Sequence, residues 1–346
     1  MLTDDFDYDL PTGLIAQRPA VPRDSCRLLV LDRSSGQIDH RTFSDLPDYI
    51  RSGDVVVVND TRVLPARIHG VKDETGGAVE VLLLRERYEN AWECLVKPGR
   101  RLKPGTRIVF ADGAMTGLVV DVADEGGGRL IQFRLAPGER SFLDVVHRIG
   151  EMPLPPYIAH QIDDPELYQT VFSREERSAA APTAGLHFTP ELLDRIRDAG
   201  AHVEAVELDV GIDTFRPVSE GDPAQHHIHT EHFIVSEYAA DAVEDAHARG
   251  GRVLAIGTTS VRALESAWDP EEGRVVATRG ATSLYILPGY RFNVVDALVT
   301  NFHVPRSTLL MMVSAFAGRA AVMEAYGLAK REGYRFLSFG DAMLVL

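Results

Sequence analysis

The chain has 346 residues, 45% of them hydrophobic, and a formal net charge of −15 at pH 7. This length is typical of about two domains, and the apolar content is sufficient for substantial cores. The charge argues against indiscriminate nucleic-acid binding, because phosphate contacts require Lys and Arg. Only Cys26 and Cys94 are present, so neither a disulfide framework nor a cysteine zinc site is indicated.

The N-terminus and the apolar runs indicate a compact, soluble protein of the cytoplasm. The first ten residues, MLTDDFDYDL, are acidic and lack the basic and apolar regions of a signal peptide. The most apolar run, residues 309–318, is far shorter than the roughly 20 residues needed to cross a bilayer. We therefore expect no membrane contact.

Two short apolar runs near the start, RLLVLD and GDVVVVND, are bounded by turn residues and predict buried strands. The second run ends in a polar cluster that contains Asn59, Thr61 and Arg62. Ligands usually bind at the carboxyl ends of strands in open α/β sheets, so these three residues are binding candidates. The alternative is an Asx-type turn with a surface arginine.

From about residue 67 to residue 135, short β-rich runs alternate with Gly, Pro and charged turns at intervals close to ten residues. The runs are AVEVLLL, AWECLV, TRIVF, GLVVDV and RLIQFRL. This spacing predicts an antiparallel barrel. Because α/β character precedes and follows it, we expect a barrel domain at residues 66–149 inserted into an α/β domain made of residues 1–65 and 150–346.

The segment KPGRRLKPGTR within the predicted barrel carries five basic residues and no acidic one. It predicts a local positive patch that restricts nucleic-acid docking to one surface. The residues are Lys97, Arg100, Arg101, Lys103 and Arg107. The alternative is a solvated turn between strands.

Strands alternate with helices in the rest of the chain, which predicts a largely parallel α/β layer. The predicted helices are SFLDVVHRIG, the segment after Pro190, SEYAADAVEDAHARGG, TSVRALESAW and the long or broken RSTLLMMVSAFAGRAAVMEAYGLAKREG. The predicted strands are HVEAVELDV, RVLAIG, SLYIL and VDALVTN. The fold class is therefore a larger mixed or parallel α/β domain with an inserted antiparallel β-barrel domain.

The stretch SAAAPTAGLHFTP, residues 178–190, is a loop of small residues that leads into a helix capped by Thr189. A ligand can approach its backbone closely, and free N–H groups at a helix start favour anions. Thr183 and Gly185 are binding candidates, and His187 would project into the same space. The alternative is an ordinary tight turn with a hydrogen-bonded histidine.

Two further clusters have residue types suited to chemistry. The run QHHIHTEH contains His226, His229 and Glu231, which suit proton transfer or substrate contact; zinc binding is an alternative, although the run alone does not specify tetrahedral geometry. In GTTSVRALE, Thr259 and Arg262 follow a strand-to-helix turn and suit a carboxylate or phosphate. The alternative for this turn is an ordinary helix start with a salt bridge between residues 262 and 265.

The last two clusters lie near the C-terminus. TNFHVPRS places Asn301 and His303 at a predicted strand end, and SFGDAM presents Asp341 beside a glycine turn. A capped terminal turn is the alternative for Asp341.

Together these motifs resemble the S-adenosylmethionine:tRNA ribosyltransferase-isomerases of queuosine synthesis. The matching blocks extend from the first turn to the last residue, so the resemblance covers the whole chain. They are DFDYDLP, GDVVVVNDTRVLPAR, APTAGLHFT, IGTTSVRALES, LVTNFHVPRSTLLMMVSAFAG and YRFLSFGDAMLVL.

The resemblance implies an enzyme that uses S-adenosylmethionine as a ribosyl donor and needs no metal or resident cofactor. A base removes a C5′ proton, adenine leaves as the sugar ring opens, and the aminomethyl nitrogen of 7-aminomethyl-7-deazaguanine in tRNA attacks the unsaturated sulfonium. Methionine is expelled as the epoxide of epoxyqueuosine closes. The resemblance also implies a monomer.

Residue roles follow from the resemblance and from residue chemistry. His187 and His229, then Glu231 and His303, are the candidates for proton transfer. The substrate-binding candidates are Asn59, Thr61, Arg62, Thr183, Gly185, His226, Thr259, Arg262, Asn301 and Asp341, and the tRNA-binding candidates are the five basic residues between Lys97 and Arg107. One position departs from the family pattern: Asp209 stands where HVG-x-x-TFxPV has histidine.

Three other functions remain open from the sequence. A non-catalytic tRNA-binding protein would bind tRNA without consuming the sulfonium compound. A methyltransferase would release S-adenosylhomocysteine, although the common glycine-rich nucleotide fingerprint is missing. A metal-dependent hydrolase built on QHHIHTEH is the weakest of the three.

Overall fold

The computed structural model describes residues 1–123, 128–160, 162–211 and 217–346. The chain divides into two compact units. The sheet unit comprises Met1–Thr61, Pro155–Glu175 and Ala181–Leu346, and the barrel unit comprises Arg62–Leu154 and Glu176–Ala180. The barrel unit has 15 Lys and Arg against 14 Asp and Glu, so the negative charge of the chain belongs to the sheet unit.

Within the described residues, nineteen strands and six α-helices form. The strands are β1 (Arg27–Leu31), β2 (Ile38–Thr42), β3 (Val55–Asn59), β4 (Arg62–Val63), β5 (Arg67–Lys72), β6 (Ala78–Tyr88), β7 (Ala91–Lys97), β8 (Arg107–Phe110), β9 (Met115–Val122), β10 (Arg129–Leu135), β11 (Glu176–Ser178), β12 (His202–Leu208), β13 (Glu231–Val235), β14 (Val253–Ile256), β15 (Trp268–Asp269), β16 (Arg274–Val275), β17 (Thr278–Thr282), β18 (Ala297–Asn301) and β19 (Ala342–Val345). The helices are α1 (Phe142–Ile149), α2 (Pro190–Asp198), α3 (Glu237–Ala248), α4 (Gly257–Ser266), α5 (Thr308–Ala317) and α6 (Arg319–Arg331).

The sheet unit contains a mixed sheet with the strand order β17-β13-β12-β3-β14-β18-β19-β1-β2. The pairings β12-β3, β3-β14, β14-β18 and β19-β1 are parallel. The pairings β17-β13, β13-β12, β18-β19 and β1-β2 are antiparallel. The predicted mixed α/β class is confirmed, but the layer is less parallel than the alternation of strands and helices indicated.

The parallel centre of this sheet places four strand ends side by side. Every residue of β3, β14 and β18 is buried, because helices and loops cover both faces and the apolar runs are nearly continuous. Since β12, β3, β14 and β18 are mutually parallel neighbours, their carboxyl ends lie at one edge. Candidate residues that follow these strands in sequence therefore meet there.

The helices largely follow the predictions. Ser236, the first residue of the predicted segment SEYAADAVEDAHARGG, caps α3 by accepting from the N–H of Ala239. The long C-terminal helix is broken at Gly318 into α5 and α6, which are bent by 115°. Among the described residues no single helix is long and apolar enough to span a membrane; only α5 and α6 taken together reach that length and composition.

The barrel unit contains a closed barrel of six antiparallel strands in the order β10-β7-β6-β5-β8-β9. The predicted antiparallel barrel is confirmed, and five of its strands coincide with the predicted runs. Strand β5 was not predicted, because its sequence RIHGVK contains few of the residues that mark strands.

The predicted strand SLYIL was wrong, since residues 283–287 pair with no strand of the described structure. Side chains satisfy part of this segment instead. The N–H of Leu284 donates to Thr282 Oγ1, and its carbonyl accepts from Arg262 Nε.

Candidate active site

Helix α4 begins directly after β14, at the sheet edge where the four parallel strands end. Gly257 has φ of +87°, a left-handed conformation that side chains disfavour, and this turn starts the helix without a connecting loop. No side chain caps the helix start. Two neighbouring cavities lie along α4, and Leu309 lines both.

The main cavity has a volume of about 240 Å³ and combines an apolar wall with several polar groups. Its apolar residues include Ile228, Leu284, Ile286, Leu309 and Met312. Its polar residues are Ser219, His226, His229, Glu231, Arg262, Tyr285 and Thr308. Four predicted site residues from two distant segments, QHHIHTEH and GTTSVRALE, therefore line one cavity.

A buried ion pair joins these two segments. Glu231, the first residue of β13, pairs through Oε2 with Arg262 Nη1, and its Oε1 accepts from the N–H of Gly211 at 3.0 Å. The remaining guanidinium nitrogen, Arg262 Nη2, is buried and has no hydrogen-bond partner among the described residues. The cavity therefore has an unused buried donor.

The alternative salt bridge between residues 262 and 265 does not form. Glu265 is buried and accepts instead from three consecutive backbone N–H groups, those of Asn293, Val294 and Val295, at 3.0–3.1 Å. It thereby fixes the segment that leads into β18. This arrangement leaves Arg262 for Glu231 and for the cavity.

His226 is part of a dyad that the sequence did not indicate. Its Nδ1 lies 2.9 Å from Glu220 Oε2, and its ring meets Tyr285 edge to face. The pKa of Glu220 is lowered by a hydrogen bond from the backbone N–H of Glu220 itself and by the hydrogen bond with His226. An ionised carboxylate on Nδ1 fixes the tautomer and orientation of an imidazole. Nothing in the sequence marks Glu220, which lies in a polar loop six residues earlier.

The small cavity has a volume of about 30 Å³ and lies at the start of α4. It is lined by the predicted residues Thr183, Thr259, Asn301 and His303. The other lining residues are Ala181, Pro182, Ala184, Val210, Gly257, Thr258, Thr300 and Leu309. Thr259 Oγ1 is buried there without a hydrogen-bond partner among the described residues. His303 is held from behind by Tyr326.

The hydrogen bonds of His303 assign its tautomer. Tyr326 Oη accepts from the backbone N–H of His303 at 3.0 Å, so its own proton is available to His303 Nδ1 at 3.3 Å. The ring proton then lies on Nε2, where it points to Thr300 Oγ1 at 3.3 Å. Burial lowers the pKa of His303 to about 3. His303 is therefore a neutral donor and a poor base.

His187 lies beneath the loop and lines neither cavity. Its Nε2 is 3.1 Å from Asn301 Nδ2, its Nδ1 is 3.3 Å from Cys26 Sγ, and its ring packs on Phe43. Burial, with smaller effects of Arg335 and another arginine, lowers its pKa to about 3. Both ring nitrogens are engaged, so this histidine does not project into ligand space as the sequence led us to expect.

Asn301 connects the loop to the sheet edge. Its Oδ1 accepts from Thr183 Oγ1 at 2.9 Å, and its Nδ2 donates to Leu337 O at 3.2 Å as well as to His187. Gly185 is needed for packing: a Cβ there would lie 2.6 Å from Phe172 Cζ. At Gly185 the absence of a side chain thus allows the ring of Phe172 to pack closely against the loop, where the sequence had suggested a ligand.

The predicted anion site at the start of α2 is closed by the protein itself. Thr189 Oγ1 accepts from Leu192 N at 3.2 Å and lies 3.3 Å from Asp24 Oδ2. The capping prediction is confirmed, and the Asp24 carboxylate beside the Thr189 hydroxyl disfavours a second anion at this helix end. The uncapped helix start at the sheet edge belongs to α4 instead.

The cluster after β3 holds the sheet together. Asn59 donates to Leu208 O at 2.9 Å and accepts from Thr61 N at 3.2 Å, and all three residues are buried. Burial raises the pKa of Asp60 to about 6, and Arg174, 3.5 Å away, opposes that shift. These contacts match the Asx-type turn that was the alternative for this cluster.

The remaining candidates in the polar clusters lie outside both cavities. Arg62 is in the barrel unit, where its Nε lies 3.9 Å from Glu176 Oε1. Asp341 accepts from the backbone N–H groups of Arg27 at 3.0 Å and Arg335 at 2.7 Å, which ties β1 to the turn before β19.

The departure at Asp209 lies just after β12, where its backbone N–H donates to His232 O at 2.9 Å. Most of the TFxPV part of that motif, residues 214–216, lies outside the described residues. Among the residues that are described, no group of three or more His, Cys, Asp and Glu side chains is placed to hold a metal ion.

The basic segment of the barrel unit is exposed and held by one buried arginine. Lys97, Arg100, Arg101, Lys103 and Arg107 are all exposed. Arg129 is only 8% exposed, and its guanidinium donates to the carbonyls of Gly99 at 2.6 Å and Leu102 at 2.5 Å. The turn that carries the basic side chains is therefore fixed.

Comparisons with known proteins show the family of the chain. The family model described as "Queuosine biosynthesis protein" matches residues 3–345. S-adenosylmethionine:tRNA ribosyltransferase-isomerases from Symbiobacterium thermophilum and Desulfitobacterium hafniense are 55% and 49% identical, with all of both chains covered in each case. The crystal structure of S-adenosylmethionine tRNA ribosyltransferase from Thermotoga maritima matches with a TM-score of 0.57 at 37% identity, over 99% of this chain and 100% of that one. The chain therefore belongs to the S-adenosylmethionine:tRNA ribosyltransferase-isomerase family.

Proposed function

We propose that the main cavity binds S-adenosylmethionine and that the enzyme transfers and isomerises its ribosyl group onto 7-aminomethyl-7-deazaguanine in tRNA. The products are epoxyqueuosine in tRNA, adenine and methionine. The observation that carries this proposal is the cavity beside α4, where an apolar wall meets His226, His229 and the Glu231–Arg262 pair. Apolar walls with a few fixed polar groups are typical of sites for small molecules.

His229 is the general base of the proposed reaction. The reaction begins when a base takes a C5′ proton made acidic by the sulfonium. His229 lines the cavity and is half-buried, whereas the low pKa values of His187 and His303 make them weak bases. The electron pair left at C5′ expels the ring oxygen from C4′ and gives an unsaturated sulfonium, and the freed oxygen becomes a C1′ aldehyde as the bond to adenine breaks and adenine takes up a proton. The amine adds to C4′ and loses a proton, and the resulting C5′ ylide forms a bond to C1′. The C1′ oxygen then closes the epoxide on C5′ as the C5′–S bond breaks with its electron pair returning to sulfur.

The ion pair orients the substrate and takes no proton in this scheme. Both carboxylate oxygens of Glu231 are engaged, one by Arg262 and one by Gly211. Arg262 Nη2 is the donor that we assign to an oxygen of the ribosyl group. His226, oriented by Glu220, supplies the proton for the departing adenine.

The barrel unit binds the tRNA through its basic segment in this proposal. The barrel unit is nearly neutral overall, so its five exposed basic residues form a local positive patch. The sheet unit carries the negative charge of the chain and repels phosphate. We expect the enzyme to act as a monomer in the cytoplasm, where tRNA is modified. S-adenosylmethionine is consumed as a co-substrate.

A product assay tests the function directly. Metal-stripped protein is incubated with S-adenosylmethionine and tRNA that carries the aminomethyl-deazaguanine, and small molecules and digested tRNA are analysed by mass spectrometry. We expect adenine and methionine together with a mass gain on that nucleoside. Release of S-adenosylhomocysteine would indicate a methyltransferase, and tRNA binding without any product would indicate an RNA-binding protein.

Removal of the basic side chains is expected to weaken tRNA binding in a salt-dependent way. In Arg100→Gln/Arg101→Gln, the negative slope of log affinity against log salt should become shallower by about 2, since each lost phosphate contact reduces its magnitude by about 1. The KM for S-adenosylmethionine should not change. The matched control is Arg134→Gln/Arg140→Gln, which removes two exposed arginines of the same unit from outside the segment. Equal losses in both double variants would contradict a localised docking surface.

A further inference from the structure

We propose that the small cavity at the start of α4 binds the α-carboxylate of the methionine part of S-adenosylmethionine. The inference rests on the proposed function, which makes this compound the substrate. It adds the place where the charged amino-acid end of the substrate lies. The supporting observations concern the helix start, an unused hydroxyl, a histidine donor and the size of the cavity.

The helix start offers main-chain donors. Gly257, Thr258 and Thr259 form the first turn of α4 and line the cavity. The first N–H groups of a helix have no partner within the helix, and no side chain caps them here. Together with the helix dipole, they favour a negatively charged group.

Thr259 supplies the second observation. The residue is only 8% exposed, and its Oγ1 has no hydrogen-bond partner among the described residues. A buried hydroxyl without a partner lowers stability, so such groups in folded proteins usually serve a ligand or an ordered water. A carboxylate oxygen in the cavity would accept this hydroxyl proton.

His303 adds a third donor to the same space. The contacts with Tyr326 place its proton on Nε2, where it points to Thr300 Oγ1, 3.3 Å away on the wall of the same cavity, and burial keeps the ring neutral. A carboxylate in the cavity would accept this proton in place of the Thr300 hydroxyl. The residues that line the cavity within the described chain include no Asp and no Glu. The cavity therefore presents donors without a competing anion, which suits a carboxylate and does not suit an ammonium group.

The size and position of the cavity agree with this ligand group. A volume of about 30 Å³ holds a group as small as a carboxylate and excludes a purine ring. Leu309 lines both cavities, so the amino-acid end in the small cavity would leave the ribosyl group near His229 and Arg262 in the main one.

The test compares S-adenosylmethionine with its decarboxylated analogue, which keeps the adenosine and the sulfonium but lacks the α-carboxylate. Dissociation constants of both compounds are measured by calorimetry for the wild type and for Thr259→Val, which removes the hydroxyl and preserves the volume. We expect Thr259→Val to weaken S-adenosylmethionine about tenfold and the analogue less than about twofold, because the lost hydrogen bond is to a charged group. His303→Phe should show the same selectivity if Thr259→Val folds poorly.

Thr170→Val is the matched control. Thr170 also has a buried Oγ1 without a partner in the described structure, but it lines neither cavity. Its replacement should leave both dissociation constants unchanged. This control separates a ligand contact from the general effect of removing a buried hydroxyl.

Three outcomes would overturn the carboxylate site. They are equal weakening of both compounds by Thr259→Val, unchanged dissociation constants for both compounds, and weaker tRNA binding by the variant in the absence of S-adenosylmethionine, which would assign the cavity to a phosphate. The proposed function fails separately. If Thr259→Val weakens S-adenosylmethionine more than the analogue but the wild-type protein releases no adenine, the reaction is refuted and the carboxylate site stands.

Discussion

Arg262→Met is expected to lower turnover about a hundredfold or more and to destabilise the fold by about 3–5 kcal/mol, because it leaves the buried Glu231 carboxylate without its guanidinium. The variant also removes the donor that we assign to the ribosyl group. Single-turnover rates at saturating substrate and urea unfolding at the same pH measure the two effects. The two side chains are only 6% and 8% exposed, so the expected loss is large in both turnover and stability.

A double variant separates stability from function. Glu231→Gln/Arg262→Met removes both charges and keeps an acceptor for the N–H of Gly211. We expect unfolding free energy to return to within about 2 kcal/mol of the wild type, since a buried ion pair is often no more stabilising than neutral residues of similar volume. Turnover should stay low. Recovery of turnover together with stability would show that the pair serves the fold alone.

The sequence predicted the sheet edge well because polar residues at strand ends follow simple rules. Thr259 and Arg262 come directly after β14, and Asn301 ends β18, so the parallel arrangement of these strands brings them together. The barrel was predictable for a similar reason, since its runs and turns recur at a regular interval. Both arguments use only local patterns and the way parallel or antiparallel strands assemble.

The direction of a side chain at such an edge could not be predicted. Asn59 and Asn301 both end buried strands, yet Asn59 binds the backbone of Leu208 while Asn301 lines the small cavity. His187 follows the same logic, because a histidine next to a glycine turn can face a ligand or, as here, Cys26. These outcomes depend on partners far away in sequence.

Residues that act through a neighbour were equally hidden. Glu220 is an ordinary acidic residue of a polar loop until the fold places it against His226. The pairing of Glu231 with Arg262 depends on where β13 lies in the sheet, and the short sequence of this strand, EHFIV, has no distinctive pattern. Only tertiary structure supplies such pairs.

His229→Gln is expected to lower kcat by about a hundredfold to ten-thousandfold, the usual contribution of a positioned acid or base, with little change in unfolding free energy. The side chain is half-buried at the cavity wall, so its replacement creates no void in the core. Single-turnover rates at saturating substrate and urea unfolding measure the two effects.

His187→Gln is the contrasting control, because the sequence made both histidines candidates for proton transfer and only His229 lines a cavity. The pKa of His187 is lowered to about 3, so the ring is neutral, and it contacts Cys26 and Asn301. Its loss should therefore reduce the free energy of unfolding by about 1–3 kcal/mol and kcat by less than about tenfold. A hundredfold loss of kcat in His187→Gln with a normal rate in His229→Gln would place the base beneath the loop. That result would require the loop to move before the C5′ proton is removed, since both ring nitrogens of His187 are engaged in the present arrangement.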